Sequence, residues 1–392
     1  MASDMYKRLD SNRHEIRILE FDWTERVRYG MVKNESLIDI KPYTALSYCW
    51  GDIASDKILL LYFEHTTHGR RVPITDNLHS ALLALWKRKG DGEPFIRLWI
   101  DAICINQDDL YERSQQVQMM RQIYSGAEEV VAWVGPIVES PFPAGSDYFL
   151  DTRQKFENVW QARKTFFNEE YWKRVWIIQE ITVASRVTML YGDHEFPWES
   201  LVVVLTSLLE HLAQGRTEHK IEVGEIAASH ILKFREHWMD SNKPITLYQA
   251  MTWTLHTKAT DPRDKIFALL GLCHDGFRLV PIPNYRQSLE SIISEMSRLM
   301  FSRSRSLDLM CLRGTGEIPE FSTLRSWVPN WPFLCKCRER IILSILTIIP
   351  KQWAPPRTYP IELLLTVSLP RVIRKYYCAR ENDSSFSNVC QL

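Results

Sequence analysis

Residues 44–50 read Thr-Ala-Leu-Ser-Tyr-Cys-Trp, and Gly51 and Asp52 follow them. The run is short and rich in residues that favour strands, and Gly-Asp is a dipeptide typical of turns. The pattern therefore predicts a buried strand that ends at a tight turn.

Similar segments recur on both sides of this strand. Further strands are predicted by the runs at 15–21, 95–105, 129–134 and 187–191. Amphipathic stretches at 76–90, 109–125 and 171–182 predict helices, and the charged stretch 57–72 resembles a hairpin. Strands that alternate with helices are typical of an α/β sheet with crossover helices.

The apolar period changes after residue 200. It is helical from 201 to 253, and Thr260-Asp261-Pro262 predicts the start of another helix that ends near Gly271. We expect four parts: a lead-in strand region at 1–39, an α/β domain at 40–200, a helical region at 201–330 and a diverged tail at 331–392. The tail shows no period that predicts a fold.

Composition excludes several classes of protein. The chain has 392 residues, with 48 Lys and Arg against 48 Asp and Glu, so it lacks the positive field of a non-specific nucleic-acid binder. Its most apolar run, 341–349, is too short for a membrane span, which needs roughly 18 residues. Charges interrupt the N-terminal stretch, so we expect no secretory signal and a cytoplasmic protein.

The motifs of common enzymes are absent. The sequence contains no P-loop, no GxGxxG, no HExxH, no GxSxG and no CxxC pair. The histidines at 211–237 do not have the spacing of metal ligands, so we expect no metal site. Cys104 could be a nucleophile, but nothing in the sequence places a histidine beside it, and a lone cysteine in an apolar run is usually a core residue.

Four segments carry a family resemblance. They are 43–52 (YTALSYCWGD), 98–107 (LWIDAICINQ), 172–181 (WKRVWIIQEI) and 261–271 (DPRDKIFALLG). In this order they resemble the fungal heterokaryon incompatibility (HET) domain and the helical region that follows it. The resemblance implies a cytosolic effector of non-self recognition, which causes programmed cell death and associates with itself and with other incompatibility proteins.

The HET domain is in turn similar to TIR domains, which implies a flavodoxin-like, mainly parallel sheet. Residues 176–181 are similar to the TIR helix that bears a catalytic glutamate in NAD-cleaving enzymes. This resemblance makes Glu180 the catalytic carboxylate and NAD the substrate, with no further cofactor. It also implies self-association, because TIR-like enzymes complete their sites between protomers.

The residue pattern around Glu180 leads to the same hypothesis by another route. On one continuous helix, Trp172, Trp176 and Glu180 lie on one face, and a carboxylate beside two indoles loses part of its hydration. Such a group can hold ribose hydroxyls and offset the positive charge of an oxocarbenium ion. The alternative is an ion-paired helix residue beside ordinary core tryptophans.

Other candidate binding residues follow predicted strands, where doubly wound sheets bind ligands. They are Ser47, Tyr48, Trp50, Gly51 and Asp52 after one strand, Asp101, Asn106 and Gln107 after another, and Trp176 on the helix. Trp50 could stack on a nicotinamide ring, and Gly51 would let a ribose or phosphate approach the backbone. The alternatives are a tight turn at 50–52, a structural bond from Asp101 to a backbone amide or to Arg113, and helix capping by Asn106 and Gln107.

Two functions of different classes remain open. One is an NAD glycohydrolase that acts in incompatibility. The other is a signalling or scaffold module without catalysis, whose aromatic surface recruits partners through contacts between domains.

Overall fold

The computed structural model describes residues 5–23, 28–51, 56–89, 94–136, 163–213, 222–240, 242–304, 324–325, 327–329 and 331. Within these ranges, the side chains of 23, 28, 207–213 and 304 are not described. Asp52, His219 and the side chain of His211 therefore lie outside the described part of the chain, as does nearly all of the 331–392 tail.

The described strands form one sheet. They are β1 (Glu15–Trp23), β2 (Arg28–Ser36), β3 (Thr44–Tyr48), β4 (Ile58–Phe63), β5 (Arg70–Pro73), β6 (Ile96–Trp99), β7 (Glu129–Gly135), β8 (Val187–Tyr191) and β9 (His194–Pro197). Their order across the sheet is β5-β4-β2-β1-β6-β3-β7-β8-β9.

The sheet is mixed, so the expectation of a mainly parallel sheet is wrong. β1 pairs antiparallel with β2 and with β6, and antiparallel pairs also join β4 to β5 and β8 to β9. The remaining pairs, β2–β4, β6–β3, β3–β7 and β7–β8, are parallel. Short connections account for three of the antiparallel pairs, β1–β2, β4–β5 and β8–β9, because two strands joined by a hairpin must run in opposite directions. The antiparallel pair β1–β6 joins strands that are far apart in the chain.

The helices are α1 (Asp76–Arg88), α2 (Asp101–Cys104), α3 (Leu110–Gly126), α4 (Trp176–Thr182), α5 (Trp198–Ala213), α6 (Val223–Met239), α7 (Leu247–Trp253), α8 (Asp264–Leu270), α9 (Gly276–Leu279) and α10 (Leu289–Ser304). Single 3-10 turns lie at Ser11–Arg13 and Glu170–Lys173. Side chains cap the start of two helices: Thr75 accepts a hydrogen bond from the Leu78 amide, and Asp109 accepts from the Tyr111 and Glu112 amides.

Three predicted elements end or begin elsewhere. The 95–105 strand stops at Trp99, because the Asp101 carboxylate accepts the Ala102 amide at 2.8 Å and a helical turn begins. The 171–182 helix is interrupted, since the Val175 amide donates to the Lys258 carbonyl at 3.0 Å. The helix expected at Pro262 begins at Asp264, because Asp261 accepts the Arg263 amide at 3.0 Å and forms a turn.

The pleat of the sheet separates two hydrophobic clusters. Ala45 faces one cluster and its neighbour Leu46 the other, as the period of two in a strand requires. The smaller cluster includes the apolar residues of α1, such as Leu82. The larger cluster joins α3 and α4 to the helices after residue 200, through side chains such as Phe234 and Phe267. No helix in the described part of the chain is both long and apolar enough to span a membrane.

Candidate functional site

The candidate site lies where β3 and β6 end. The four central parallel strands lie in the order β6-β3-β7-β8. Strands β6 and β7, which come after β3 in the chain, therefore lie on opposite sides of β3. In open α/β sheets, ligands bind beyond the carboxyl ends of strands at such a reversal. The structure brings Glu180 to this place, because α4 packs against β3 and β7.

Glu180 is buried, with 1% of its surface exposed. The Ser47 hydroxyl at the end of β3 donates a hydrogen bond to Glu180 Oε2. Ser47 Oγ in turn lies 2.9 Å from the Tyr171 hydroxyl. Strand β3 and the turn before α4 thus hold the carboxylate in a polar pocket inside the protein.

A guanidinium lies beside this carboxylate. Arg174 Nη1 is 3.8 Å from Glu180 Oε2 and also donates to the backbone carbonyl of Tyr48. Burial raises the pKa of Glu180 to about 7. Arg174 and the hydrogen bond from Ser47 both lower this pKa, so the value of about 7 includes their effect. A carboxyl group with such a pKa is suited to proton transfer near neutral pH.

Asp101 is the second carboxylate of the cluster. Its Oδ2 accepts a hydrogen bond from the Trp50 indole at 2.8 Å, and its Oδ1 accepts the Ala102 amide. Burial raises the pKa of Asp101, while Arg174 and Trp50 act against this increase. Asp101 also raises the pKa of Glu180, so the two carboxylates interact electrostatically around one arginine.

Trp50 and Gly51 form the exposed rim of this cluster. Trp50 is 40% exposed, so its ring is not tucked into the core. Gly51 has φ +73°, a left-handed conformation that glycine adopts without strain. The Asn77 amide donates to the Cys49 carbonyl at 2.5 Å, which fixes the backbone that leads to Trp50.

Gln107 and Asn106 have different surroundings. The side-chain amide of Gln107 donates to the backbone carbonyl of Asp101 at 2.9 Å, so Gln107 supports the segment that carries Asp101. The backbone amide of Asn106 donates to Glu112 Oε1 at 2.7 Å, and the Asn106 side chain accepts a hydrogen bond from the backbone amide of Asp108. Asn106 thus organises its own loop and makes no described bond to Glu180 or Arg174.

Trp176 is not brought to the cluster. Its indole donates to the Asp264 carboxylate, which also accepts the Tyr285 hydroxyl at 2.6 Å. Trp172 packs against Phe166 in the core and donates to its carbonyl. The predicted column of two tryptophans and Glu180 does not form, because the chain leaves the helical conformation between Trp172 and Trp176.

Arg113 does not bond Asp101 either. Its guanidinium lies 3.8 Å from Asp264 Oδ2 and stacks over the Tyr285 ring, so it joins the helical region instead. Cys104 is fully buried, and burial raises the pKa of its thiol to about 12, which is typical of an inert core cysteine. Among the described residues, no three His, Cys, Asp or Glu side chains converge on a metal position.

Arg174 and Tyr171 are the site residues that the sequence did not identify. Arg174 lies within the 172–181 segment and Tyr171 directly precedes it, and an arginine six residues before Glu180 was an available signal. The geometry offers one carboxylate poised for proton exchange, one fixed guanidinium and an exposed indole. Such a set can bind a planar cationic group and stabilise positive charge at a breaking bond.

Comparison with known proteins points to one class. Residues 43–180 match the family described as heterokaryon incompatibility protein (HET), and this match begins beside β3 and ends at Glu180. The comparisons thus support a heterokaryon incompatibility protein.

A particular relative extends beyond that domain. The chain is 26% identical over 366 residues to heterokaryon incompatibility protein 6, OR allele, of Neurospora crassa. The alignment covers 74% of this chain and 53% of the relative, so the chain spans about half the length of the curated relative it matches. No solved structure matches the chain.

Proposed function

We propose that this chain acts in the cytoplasm as a fungal heterokaryon incompatibility effector, and that its activation leads to programmed cell death. The match of residues 43–180 and the likeness to the Neurospora crassa protein support this role. Its partners in this proposal are further copies of the chain and other incompatibility proteins.

The proposed reaction is hydrolysis of NAD at the nicotinamide glycosidic bond. The observation that carries it is the buried Glu180, with a pKa of about 7, at the carboxyl end of β3. The TIR-like relation of the domain belongs to this proposal, and the order of the four parallel strands supports it.

In this reaction the bond between ribose C1′ and the nicotinamide nitrogen breaks. The electron pair leaves with nicotinamide, which becomes neutral, and water adds to C1′ and releases a proton. Glu180 in its ionised form offsets the charge on the oxocarbenium ion and accepts hydrogen bonds from the ribose hydroxyls. Trp50 stacks on the cationic ring, whose charge is attracted by Asp101 and Glu180.

The burial of Glu180 also supports the alternative function, that of a non-catalytic interaction module. Ser47, Tyr171 and Arg174 already surround the carboxylate, and only 1% of its surface is exposed. These contacts favour a structural role, in a non-catalytic module that acts through contacts between domains. In the enzyme hypothesis, self-association must open a route to Glu180.

The test is nicotinamide release by the purified chain, tethered at high local concentration. Glu180→Gln is expected to reduce the rate at least a hundredfold, because the neutral amide no longer offsets the charge. Glu129→Gln is the matched control: Glu129 is also buried and pairs with Arg88, but it lies at the opposite, amino end of β7.

The two functions predict different outcomes. Loss of activity in Glu180→Gln alone, with folding matched by circular dichroism, supports the enzyme. If the tethered parent chain leaves NAD and its phosphorylated relative intact, the enzyme hypothesis is rejected in favour of the interaction module.

A further inference from the structure

A cleft of about 200 Å³ opens on another part of the molecule. It lies where the ends of α4 and α6 meet α3 and the segment 271–274. The side chains that carry the argument are Arg121, Thr182, Phe234, His237, Trp238 and His274, all of which line the cleft. None of them takes part in the Glu180 cluster.

Thr182 provides a buried donor at this cleft. It is the last residue of α4 and is 2% exposed, and its hydroxyl has no hydrogen-bond partner among the described residues. Buried hydroxyl groups are almost always paired, with protein or with another molecule. Because Thr182 lines the cleft, its buried hydroxyl is a candidate donor to an oxygen of a molecule bound there.

Arg121 provides a cation. Its guanidinium lies over the Trp238 ring at 5.8 Å, and no described carboxylate approaches it within 4.0 Å. Asp240 also lines the cleft, but Lys243 already pairs with it at 3.2 Å. The uncompensated charge of the cleft is thus positive, and a guanidinium favours phosphate or carboxylate groups.

Two imidazoles, those of His237 and His274, also line the cleft. His237 Nδ1 lies 2.7 Å from the Lys243 carbonyl, and His274 Nδ1 lies 3.0 Å from the Ile245 carbonyl. A carbonyl only accepts, so each Nδ1 carries the hydrogen and each Nε2 keeps a lone pair. Neither Nε2 has a partner among the described residues, so each can accept a hydrogen bond from a hydroxyl group of a bound molecule.

We propose that this cleft binds a small phosphorylated or carboxylated compound. Its anionic group lies between Arg121 and Thr182, and its apolar or planar part packs against Trp238. The volume is below the roughly 300–1,000 Å³ of sites for drug-sized ligands, so the compound is smaller than a dinucleotide. This site is independent of the proposed reaction at Glu180.

Isothermal titration calorimetry with the full chain tests the proposal. The probes are phenyl phosphate and benzoate, which separate the two anionic groups, and phenol, which shares the ring without the charge. We expect one or both anions to bind and phenol not to bind. Glu180→Gln is expected to bind like the parent, which separates this site from the proposed reaction.

Variants locate the binding. Arg121→Gln is expected to weaken binding at least tenfold, and Thr182→Val severalfold without lowering the midpoint of thermal unfolding, because the hydroxyl has no bond to lose. Arg298→Gln is the control, since Arg298 is exposed and pairs only with Glu295 among the described residues. Equal affinity of phenol and the anions, absence of binding by both anions, or full affinity in Arg121→Gln overturns the proposal.

Discussion

At the scale of single residues, the environment of Glu180 has consequences for stability as well as for chemistry. Burial raises the pKa of this carboxyl to about 7, above its ordinary value of 4.5. Between these two values the folded chain holds a proton that the unfolded chain has released. Stability from this group is therefore fully present below about pH 4.5 and is lost as the pH rises through 7.

We expect Glu180→Gln to remove this pH dependence. The free energy of unfolding of the parent should fall, relative to the variant, by about 2–3 kcal/mol between pH 5 and 8, because about two pKa units of the difference lie in this range and one pKa unit corresponds to about 1.4 kcal/mol. Urea unfolding at pH 5, 6.5 and 8 measures the difference. Glu170→Gln is the control, because Lys173 lowers the pKa of the exposed Glu170, so this group titrates below the tested range. Parallel profiles for parent and Glu180→Gln would contradict the assignment.

At the scale of secondary structure elements, the first turn of α6 packs closely against the backbone of Phe167. Gly224 lies near the start of α6, and a Cβ added to it would meet the Phe167 carbonyl oxygen at 2.1 Å. At Gly126, the last residue of α3, an added Cβ would make only ordinary van der Waals contact, because its nearest atom would be the Tyr43 hydroxyl at 3.5 Å. The same substitution at these two glycines therefore has opposite effects.

Gly224→Ala is expected to destabilise the chain by about 1–3 kcal/mol, although alanine favours helix, because the added methyl group displaces a backbone segment. Gly126→Ala is expected to be neutral or to stabilise by up to about 1 kcal/mol. Urea unfolding of both variants under identical conditions measures the contrast. Equal free energies of unfolding would show that α6 does not lie against Phe167 as described.

At the scale of the whole molecule, one hydrophobic cluster crosses the expected boundary at residue 200. Side chains of the sheet and its helices, such as Ala132 and Ile178, share this cluster with Phe234 and Phe267 of the later helices. Asp264 adds polar contacts across the same boundary, through Trp176 and through Arg113 at 3.8 Å. The described part of 201–330 therefore packs against the α/β part through buried side chains.

This continuity predicts that both parts unfold together. Tryptophan fluorescence and far-ultraviolet circular dichroism should give coincident urea transitions, since a shared core makes unfolding cooperative. Asp264→Asn is expected to lower the midpoint seen by both probes equally. Two separate transitions, of which only that of the 201–330 part is sensitive to Asp264→Asn, would instead identify two independent folding units.

The amino-acid sequence by itself determined the features that depend on local pattern. The sequence predicted the central strands that begin at Thr44 and Glu129, and also helices α1 and α3. These elements followed from the apolar period and from turn residues, which act within a few residues. The resemblance of four motifs also led to the HET class that the comparisons support.

Only the tertiary structure decided what depends on long-range pairing. The mixed sheet, the break between Trp172 and Trp176, and the position of Arg174 beside Glu180 arise from contacts with residues far away in the chain, such as Lys258 and Tyr48. Local pattern does not encode which distant carbonyl an amide meets, nor how much water a carboxylate loses. The pKa of Glu180 is therefore a property of the fold, because burial among β3, α4 and the turn before α4 sets it.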